Sequence, residues 1–184
     1  MRGTTSRSDP LPGAQAHIAD ALKLCAKIDD LPADTPLLPI AKVGVIGAGT
    51  MGGGIAMNFL TTGIPVTIVE REQAALDKGV ATMAKNYDAS VKRGRIEPAV
   101  AEAAMAALTP SLTFDALADC DLVIEAVYES MDVKKDVFGR LDAVVKPGAI
   151  LASNTSYLDV DAIAAATKRP EAVLACTSSR PPTS

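Results

Sequence analysis

The chain of 184 residues has few cysteines, a single histidine and no long apolar run. Its three cysteines, Cys25, Cys120 and Cys176, lie far apart, which fits neither a disulfide framework nor a metal site. Such cysteine usage favours a reducing compartment. No run approaches the roughly 20 apolar residues that span a bilayer, and the first residues lack the apolar core of a signal peptide. We therefore expect a cytoplasmic protein without a membrane partner.

An excess of charge of either sign is also lacking. The net charge is −4, and acidic and basic residues are interspersed along the chain. This balance gives no electrostatic footprint for nucleic acid, so we expect no nucleic-acid partner. Apolar residues, by contrast, make up 48% of the chain, which is enough to build the core of one domain.

Residues 1–40 differ in composition from the rest. Five prolines interrupt them, and the segment from His17 to Ile28 has its apolar residues at helical spacing. We predict a tail or linker with one short helix, or alternatively the end of a preceding domain. Because His17 lies in this tail, we expect its side chain to be solvated.

From residue 42 onward, short apolar strands alternate with helices. Strands are predicted at residues 43–46, 65–70, 122–127, 149–152 and 172–176. Helices are predicted at residues 50–62 and 159–166, and another begins at Pro98. A long helix that ends at Gly94 has an apolar stripe of Leu76, Val80, Met83, Tyr87 and Val91. A further helix has an apolar stripe of Val133, Val137, Leu141 and Val145. Such alternation predicts a parallel sheet that is covered on both faces.

A glycine motif joins the first predicted strand to the first helix. Its glycines have separate roles: Gly47 permits a tight turn, Gly49 leaves room for a pyrophosphate, and Gly52 lets the helix pack closely on the sheet. The helix N-terminus offers free N–H groups to the phosphates. The alternative is a glycine-rich turn that binds nothing. The predicted cofactor-binding residues of this loop, which follow G-x-G-x-x-G, are Gly47, Ala48, Gly49, Thr50, Met51 and Gly52.

An acidic residue ends the second predicted strand, 18 residues after Gly52. A carboxylate at Glu70 accepts hydrogen bonds from both hydroxyls of an adenosine ribose and repels a 2′-phosphate, which favours NAD over NADP. Arg71 beside it is the residue type that suits NADP, and an ordinary charge at a strand end is the other alternative for Glu70. The alternation of strands and helices, the glycine motif and the acidic residue after the second strand together predict an α/β fold. Its sheet is predicted to be Rossmann-type, doubly wound and mostly parallel.

Two further motifs follow predicted strand ends. Residues 121–129 are Asp-Leu-Val-Ile-Glu-Ala-Val-Tyr-Glu, and residues 153–158 are Ser-Asn-Thr-Ser-Tyr-Leu. With the glycine motif before them, they resemble the NAD-binding N-terminal domain of the 3-hydroxyacyl-CoA dehydrogenase family over about residues 40–175. The resemblance is strongest to the multifunctional enzymes of fatty-acid β-oxidation, and it implies an NAD-binding domain at residues 41–176.

The resemblance also implies an activity and roles for residues. The family oxidises a 3-hydroxyacyl-CoA to the 3-ketoacyl-CoA and passes a hydride to NAD. Glu129 and Lys134 match positions that contact the cofactor, and Ser156 matches a serine that lies at the cofactor and hydrogen-bonds the reacting oxygen. Asn154 is implied to frame the nicotinamide end. The alternatives are a plain surface charge for Lys134, and turn or capping roles for Asn154 and Ser156.

The family's catalytic base does not match any residue of this chain. That base is a histidine oriented by a glutamate, in a His-Phe-Phe-Ser-Pro segment after the strand predicted at residues 172–176, and His17 cannot replace it by position. Residues 177–184 depart from the family pattern. Codons for residues 176–184 followed by a TGA stop exist that, when read from two bases later, give His-Phe-Phe-Ser-Pro-Ala-Asn-Val-Met. We therefore hypothesise a frameshift that truncates the chain before the family's helical second domain.

Three functions remain open at this point. The first is the cofactor-binding half of a 3-hydroxyacyl-CoA dehydrogenase, whose acyl-CoA partner and dimer interface belong to the longer family members. The second is a non-catalytic NAD-binding module or an inert product of a truncated gene. The third is another dehydrogenase with the same glycine motif, such as the β-hydroxyacid type, although the motifs at residues 121–129 and 153–158 argue against it.

Overall fold

The computed structural model describes Pro32 and residues 34–176. The predictions for the N-terminal helix, for His17 and for the aberrant residues 177–184 lie outside the described residues. The chain divides into two units, Met1–Leu38 and Pro39–Ser184, and the strands and helices of the described residues lie in the second. Within the described part of the chain, no helix combines the length and the apolarity needed to pass through a bilayer.

The described residues form one six-stranded sheet with helices between its strands. The strands are β1 (Val43–Ile46), β2 (Val66–Val69), β3 (Leu108–Ser111), β4 (Leu122–Glu125), β5 (Ile150–Ser153) and β6 (Val173–Ala175). The α-helices are α1 (Thr50–Thr61), α2 (Gln73–Lys92), α3 (Pro98–Ala106), α4 (Met131–Val144) and α5 (Val160–Ala164). All neighbouring strands are parallel, in the order β3-β2-β1-β4-β5-β6. This is the doubly wound order of dinucleotide-binding folds, and it confirms the predicted fold class.

The core lies on both faces of the sheet, because successive residues of a strand point to opposite sides. On one face Val45 packs in a cluster with Leu60 of α1 and Met83 of α2. On the other face Ile46 packs in a cluster with Phe138 and Leu141 of α4. With both faces covered, the carboxyl ends of the strands remain as the place where a ligand can approach the sheet.

Two details of the predicted elements were wrong or missing. The strand β3 was not predicted, since Pro110 interrupts its apolar pattern; a proline is tolerated here because β3 is an edge strand. Val133, predicted in the buried stripe of α4, is 40% exposed, and Lys134 is fully buried instead. The buried residues of α4 are Lys134, Val137, Phe138 and Leu141, which share one helical face.

Candidate functional site

Three loops meet at the carboxyl ends of the central strands. The glycine loop follows β1, residues 126–130 follow β4, and residues 154–158 follow β5. The strands β1 and β4 are neighbours at the point where the strand order reverses. In open α/β sheets, this reversal point is where ligands bind.

The glycine loop has the geometry that each of its glycines predicts. Gly47 has a φ of 100°, and a Cβ atom there would lie 2.7 Å from the carbonyl oxygen of Ala126. A Cβ atom at Gly52 would lie 1.9 Å from the Gly47 carbonyl oxygen, so α1 packs directly on the loop. At Gly49, by contrast, a Cβ atom would have nothing within 4 Å, which leaves open space in front of the N-terminus of α1.

A fourth glycine, Gly79 of α2, also shapes this loop and was not predicted as part of the site. A Cβ atom at Gly79 would lie 2.4 Å from the carbonyl oxygen and 2.6 Å from the Cβ atom of Ala48. The backbone of α2 therefore touches the glycine loop. The signal was in the sequence, because Gly79 stands three residues after Leu76 and four before Met83, on the buried face of α2.

Glu70 lies directly after β2, beside the glycine loop. One carboxylate oxygen accepts a hydrogen bond from the Ala48 N–H at 3.0 Å, and the other accepts one from the Arg71 N–H at 2.7 Å. Glu70 lines both a cavity of about 720 Å³ and a second of about 320 Å³. Arg71 is 90% exposed, and its guanidinium lies 3.4 Å from the Glu72 carboxylate. A carboxylate thus stands between the loop and the larger cavity.

A buried ion pair connects the ends of β4 and β5 to α4. Glu125, the last residue of β4, is fully buried, and its two oxygens lie 2.7 and 2.8 Å from the Lys134 ammonium. The same carboxylate accepts hydrogen bonds from the Ser153 hydroxyl at 2.7 Å and the Val127 N–H at 2.8 Å. Buried charges are stable only when they are paired and hydrogen-bonded in this way.

Glu129 extends this cluster toward solvent. Its carboxylate lies 3.1 Å from the Lys134 ammonium, and it accepts hydrogen bonds from the Thr155 hydroxyl and, at 3.2 Å, from the Ser156 N–H. Burial raises the pKa of Glu129, but the hydrogen bonds from Thr155 and Lys134 together outweigh it and hold the pKa below its ordinary value. Glu129 is therefore an anion across the neutral pH range.

Three of the site residues predicted from the motifs after β4 and β5, Glu129, Asn154 and Ser156, line one cavity of about 380 Å³. Lys134 does not line it, and its predicted contact with the cofactor stays a prediction. Turn and capping hydrogen bonds in this region come from Thr155, which accepts from the Leu158 N–H, and from Asp159, which caps α5. The cavity is lined by Met51, Ala126, Val127, Glu129, Asn154, Ser156 and Tyr157.

A dinucleotide fits these residues. The open space at Gly49 lies at the N-terminus of α1, where a pyrophosphate can accept the first N–H groups of the helix. Glu70 places a carboxylate beside the loop at one side, and Glu129 and Asn154 line a cavity at the other. The fold and the site together define a dinucleotide-binding domain of the doubly wound α/β class.

Comparison with known proteins gives the same class. The family model described as "3-hydroxyacyl-CoA dehydrogenase, NAD binding domain" matches residues 42–183. A 3-hydroxybutyryl-CoA dehydrogenase of Clostridioides difficile is 41% identical over 133 residues, which are 72% of this chain and 47% of that protein. The peroxisomal bifunctional enzyme of Cavia porcellus is 42% identical over 136 residues, 74% of this chain and 19% of that protein. The crystal structure of (S)-3-hydroxybutyryl-CoA dehydrogenase from Ralstonia eutropha matches with a TM-score of 0.73 at 37% identity, over 76% of this chain and 49% of that chain.

The chain belongs to the 3-hydroxyacyl-CoA dehydrogenase family and corresponds to its NAD-binding domain. This confirms the resemblance that the three sequence motifs carried, and NAD as the cofactor. The identities to the 3-hydroxybutyryl-CoA dehydrogenase and to the bifunctional enzyme are nearly the same. The chain spans about half the length of the 3-hydroxybutyryl-CoA dehydrogenases that it matches.

Proposed function

We propose that this chain holds NAD across the glycine loop and presents the nicotinamide end of the cofactor to a 3-hydroxyacyl-CoA. The observation that carries the proposal is the cavity of about 380 Å³, in which Met51 of the glycine loop meets Glu129, Asn154 and Ser156. When bound, NAD supplies the acceptor for a hydride from the alcohol carbon of the substrate. Reduction of a 3-ketoacyl-CoA is the reverse of the same reaction.

The side chains of the cavity divide this work. We propose that the Ser156 hydroxyl donates a hydrogen bond to the reacting oxygen, and that Asn154 orients the nicotinamide end. Glu129 is a poor acceptor for the hydroxyl proton, because its lowered pKa keeps it a weak base. Residues 34–176 contain no histidine, so the proton acceptor is proposed to lie outside this range.

A second candidate is an NAD-binding module that does not catalyse turnover. It is favoured by the absence of a histidine from residues 34–176, since the one histidine of the sequence, His17, lies outside the described residues. The two candidates share the cofactor and differ only in whether this chain moves a hydride. Glu70 supports a preference for NAD over NADP, since its carboxylate would repel a 2′-phosphate. The cytoplasmic location and a dimer interface in a further domain also stay predictions.

Two measurements on the purified chain test the proposal. NADH binding is followed by fluorescence, and acetoacetyl-CoA reduction by the loss of NADH absorbance. Binding without turnover would assign this chain the module function, whereas turnover would place the proton acceptor within it. A folded chain that fails to bind NADH would contradict both candidates.

Gly49→Val provides the matched control for binding. A Cβ atom added there would have no atom of a non-neighbouring residue within 4 Å, and the φ of −71° is one that any residue adopts. We therefore expect the melting temperature to stay near that of the unmodified chain, while NADH affinity falls more than tenfold because the pyrophosphate loses its room. Equal affinity in the two proteins would show that NADH binds elsewhere.

A further inference from the structure

The larger cavity beside the glycine loop lies on the side of the adenosine ribose. Glu70, the acceptor expected for that ribose, lines this cavity of about 720 Å³. A nucleoside carries its base on the same ribose, so the base of the cofactor reaches the same cavity. The charged groups that line the cavity are four carboxylates and two guanidinium groups. This excess of negative charge favours an uncharged ring over a further phosphate.

Two aromatic side chains line this cavity, and they differ in what already covers them. The guanidinium of Arg140 lies over the Phe114 ring, 3.9 Å from its centroid, so one face of that ring is occupied. Tyr128, in the loop after β4, has 81% of its surface exposed. Among the described residues that line the cavity, Tyr128 therefore offers an aromatic face that a ligand can cover.

The backbone around Tyr128 is fixed although its side chain is exposed. The Val127 N–H donates to the Glu125 carboxylate at 2.8 Å, and the Ser130 N–H donates to the Tyr128 carbonyl oxygen at 2.9 Å. Glu129, the next residue, lines the smaller cavity of about 380 Å³, whereas Tyr128 lines the larger one. Neighbouring residues of this loop thus serve different cavities, and the loop holds the Tyr128 ring at the larger cavity.

Val133 adds a further exposed apolar surface to the larger cavity. It lies in the first turn of α4, and Val137, one turn further along the same helical face, is buried and also lines the cavity. Exposed apolar side chains that cluster in one cavity are the usual mark of a ligand site. A flat base in this cavity would cover the Val133 and Tyr128 side chains that the chain itself leaves in solvent.

We propose that Tyr128 is the stacking residue for the adenine base of NAD, with Val133 as a further apolar contact of the base. The inference rests on the proposed function, because it takes NAD as the occupant of the cavity. Stacking on an aromatic side chain holds any base, and a purine has a larger ring system to stack than a pyrimidine. Tyr128 thus holds the adenosine half of the cofactor, at the opposite side of the loop from Glu129.

The chain carries an optical probe for this contact, since it has three tyrosines and no tryptophan. Tyr128 lines the larger cavity, Tyr157 lines the smaller one, and Tyr87 is buried. ADP has the adenosine and two phosphates of NAD but no nicotinamide, and it should quench the tyrosine emission of the unmodified chain. N-acetyltyrosinamide in the same ADP solutions corrects for light that the nucleotide absorbs.

Two conservative variants assign the quenching to one tyrosine. Tyr128→Phe should abolish the ADP-dependent quenching and keep the ADP affinity within about twofold, because a phenylalanine ring stacks as a tyrosine ring does. The matched control is Tyr157→Phe, which removes the other exposed tyrosine and should leave the quenching by ADP in place.

Tyr128→Leu separates stacking from simple apolar contact, because it keeps an apolar side chain and removes the ring. By titration calorimetry on the whole chain, the affinities for ADP and NAD⁺ should both fall about tenfold, whereas that for nicotinamide mononucleotide should stay unchanged. The preference for ADP over CDP should also fall. Since the Tyr128 side chain is exposed, the melting temperature of each variant should stay near that of the unmodified chain.

Three results would overturn the inference while leaving the proposed function intact, provided that the unmodified chain binds NADH. The first is a Tyr128→Leu chain that binds ADP as tightly as the unmodified chain. The second is quenching by ADP that survives in Tyr128→Phe, and the third is ADP binding that does not quench tyrosine emission at all. If the unmodified chain binds neither ADP nor NADH, the proposed function itself fails and takes the inference with it.

Discussion

Replacing Gly52 by alanine should displace the glycine loop from the sheet. The added methyl group would lie 1.9 Å from the Gly47 carbonyl oxygen, whereas ordinary contacts begin at 3.4 Å. The neighbour is backbone, so either α1 or the loop must move by about 1.5 Å, the difference between these distances. Overpacking of this kind lowers the free energy of unfolding by about 1–3 kcal/mol. The higher helix propensity of alanine relative to glycine raises it by about 0.5–1 kcal/mol.

The net destabilisation should be about 2 kcal/mol, taken from the upper end of the overpacking range. For a chain of this size it should lower the melting temperature by about 4–8 °C. NADH affinity should fall at least tenfold, because a shift of about 1.5 Å moves the first N–H groups of α1 away from the pyrophosphate.

Gly139→Ala in α4 is the matched control for Gly52→Ala. The nearest atom to a Cβ at Gly139 is the Ala166 carbonyl oxygen at 3.7 Å, which is an ordinary contact. The same substitution in a helix interior should there stabilise the chain by about 0.5–1 kcal/mol. Thermal melts and fluorescence titrations measure both variants. A Gly52→Ala chain that melts no lower and binds NADH no more weakly than the unmodified chain would refute the packing described for the loop.

Three further expectations concern other parts of the domain. Glu70→Gln should weaken NADH binding about tenfold or more, because a ribose hydroxyl loses an ionised acceptor; a fluorescence titration in which NADPH weakens equally would count against a ribose contact. The hydrogen bond from Lys146 and those from two backbone N–H groups hold the pKa of Asp121 below its ordinary value. This depressed pKa gives stability that is present above about pH 4, the unfolded value, and is lost as the pH falls through the folded value; the melting temperature should drop in that window, and less steeply in Asp121→Asn. Arg169→Ala should cost about 2–3 kcal/mol in thermal melts, since its guanidinium donates to the Lys146 and Val145 carbonyl oxygens at 2.8 and 2.9 Å. A melting temperature that Arg169→Ala leaves unchanged would show that these hydrogen bonds do not hold the end of α4.

Features that depend on neighbours in sequence were predictable. Local sequence patterns predict the strands β1, β2, β4, β5 and β6 from their apolar runs, and the helix α2 from its apolar stripe. The close packing at Gly47 and Gly52 was predictable for the same reason, since Gly47 directly follows β1 and Gly52 lies in the first turn of α1. The glycine motif, followed in order by the motifs at residues 121–129 and 153–158, also supplied the family, which the comparisons confirm.

Features that depend on contacts between distant segments were not predictable. The apolar pattern predicts that the buried stripe of α4 begins at Val133, because a lysine does not count as apolar, yet Lys134 faces the core three residues before Val137. Its burial is stable only because Glu125, from a different element, meets it there. The edge strand β3 likewise takes its structure from pairing with β2 and not from its own sequence, which holds Pro110.

The position of β1 in the sheet has a consequence for how the chain folds. Val43 pairs with Val66 on one side and, about 80 residues further along the chain, with Leu122 on the other. Pairing between such distant segments closes a long loop and is the slow kind of event in folding. The Ala126 N–H, which donates to the Ile46 carbonyl oxygen at 2.9 Å, falls into place only with that pairing. We therefore expect the contact between the glycine loop and the loop after β4 to form late in folding, and cofactor affinity to depend on the pairing of β1 with β4.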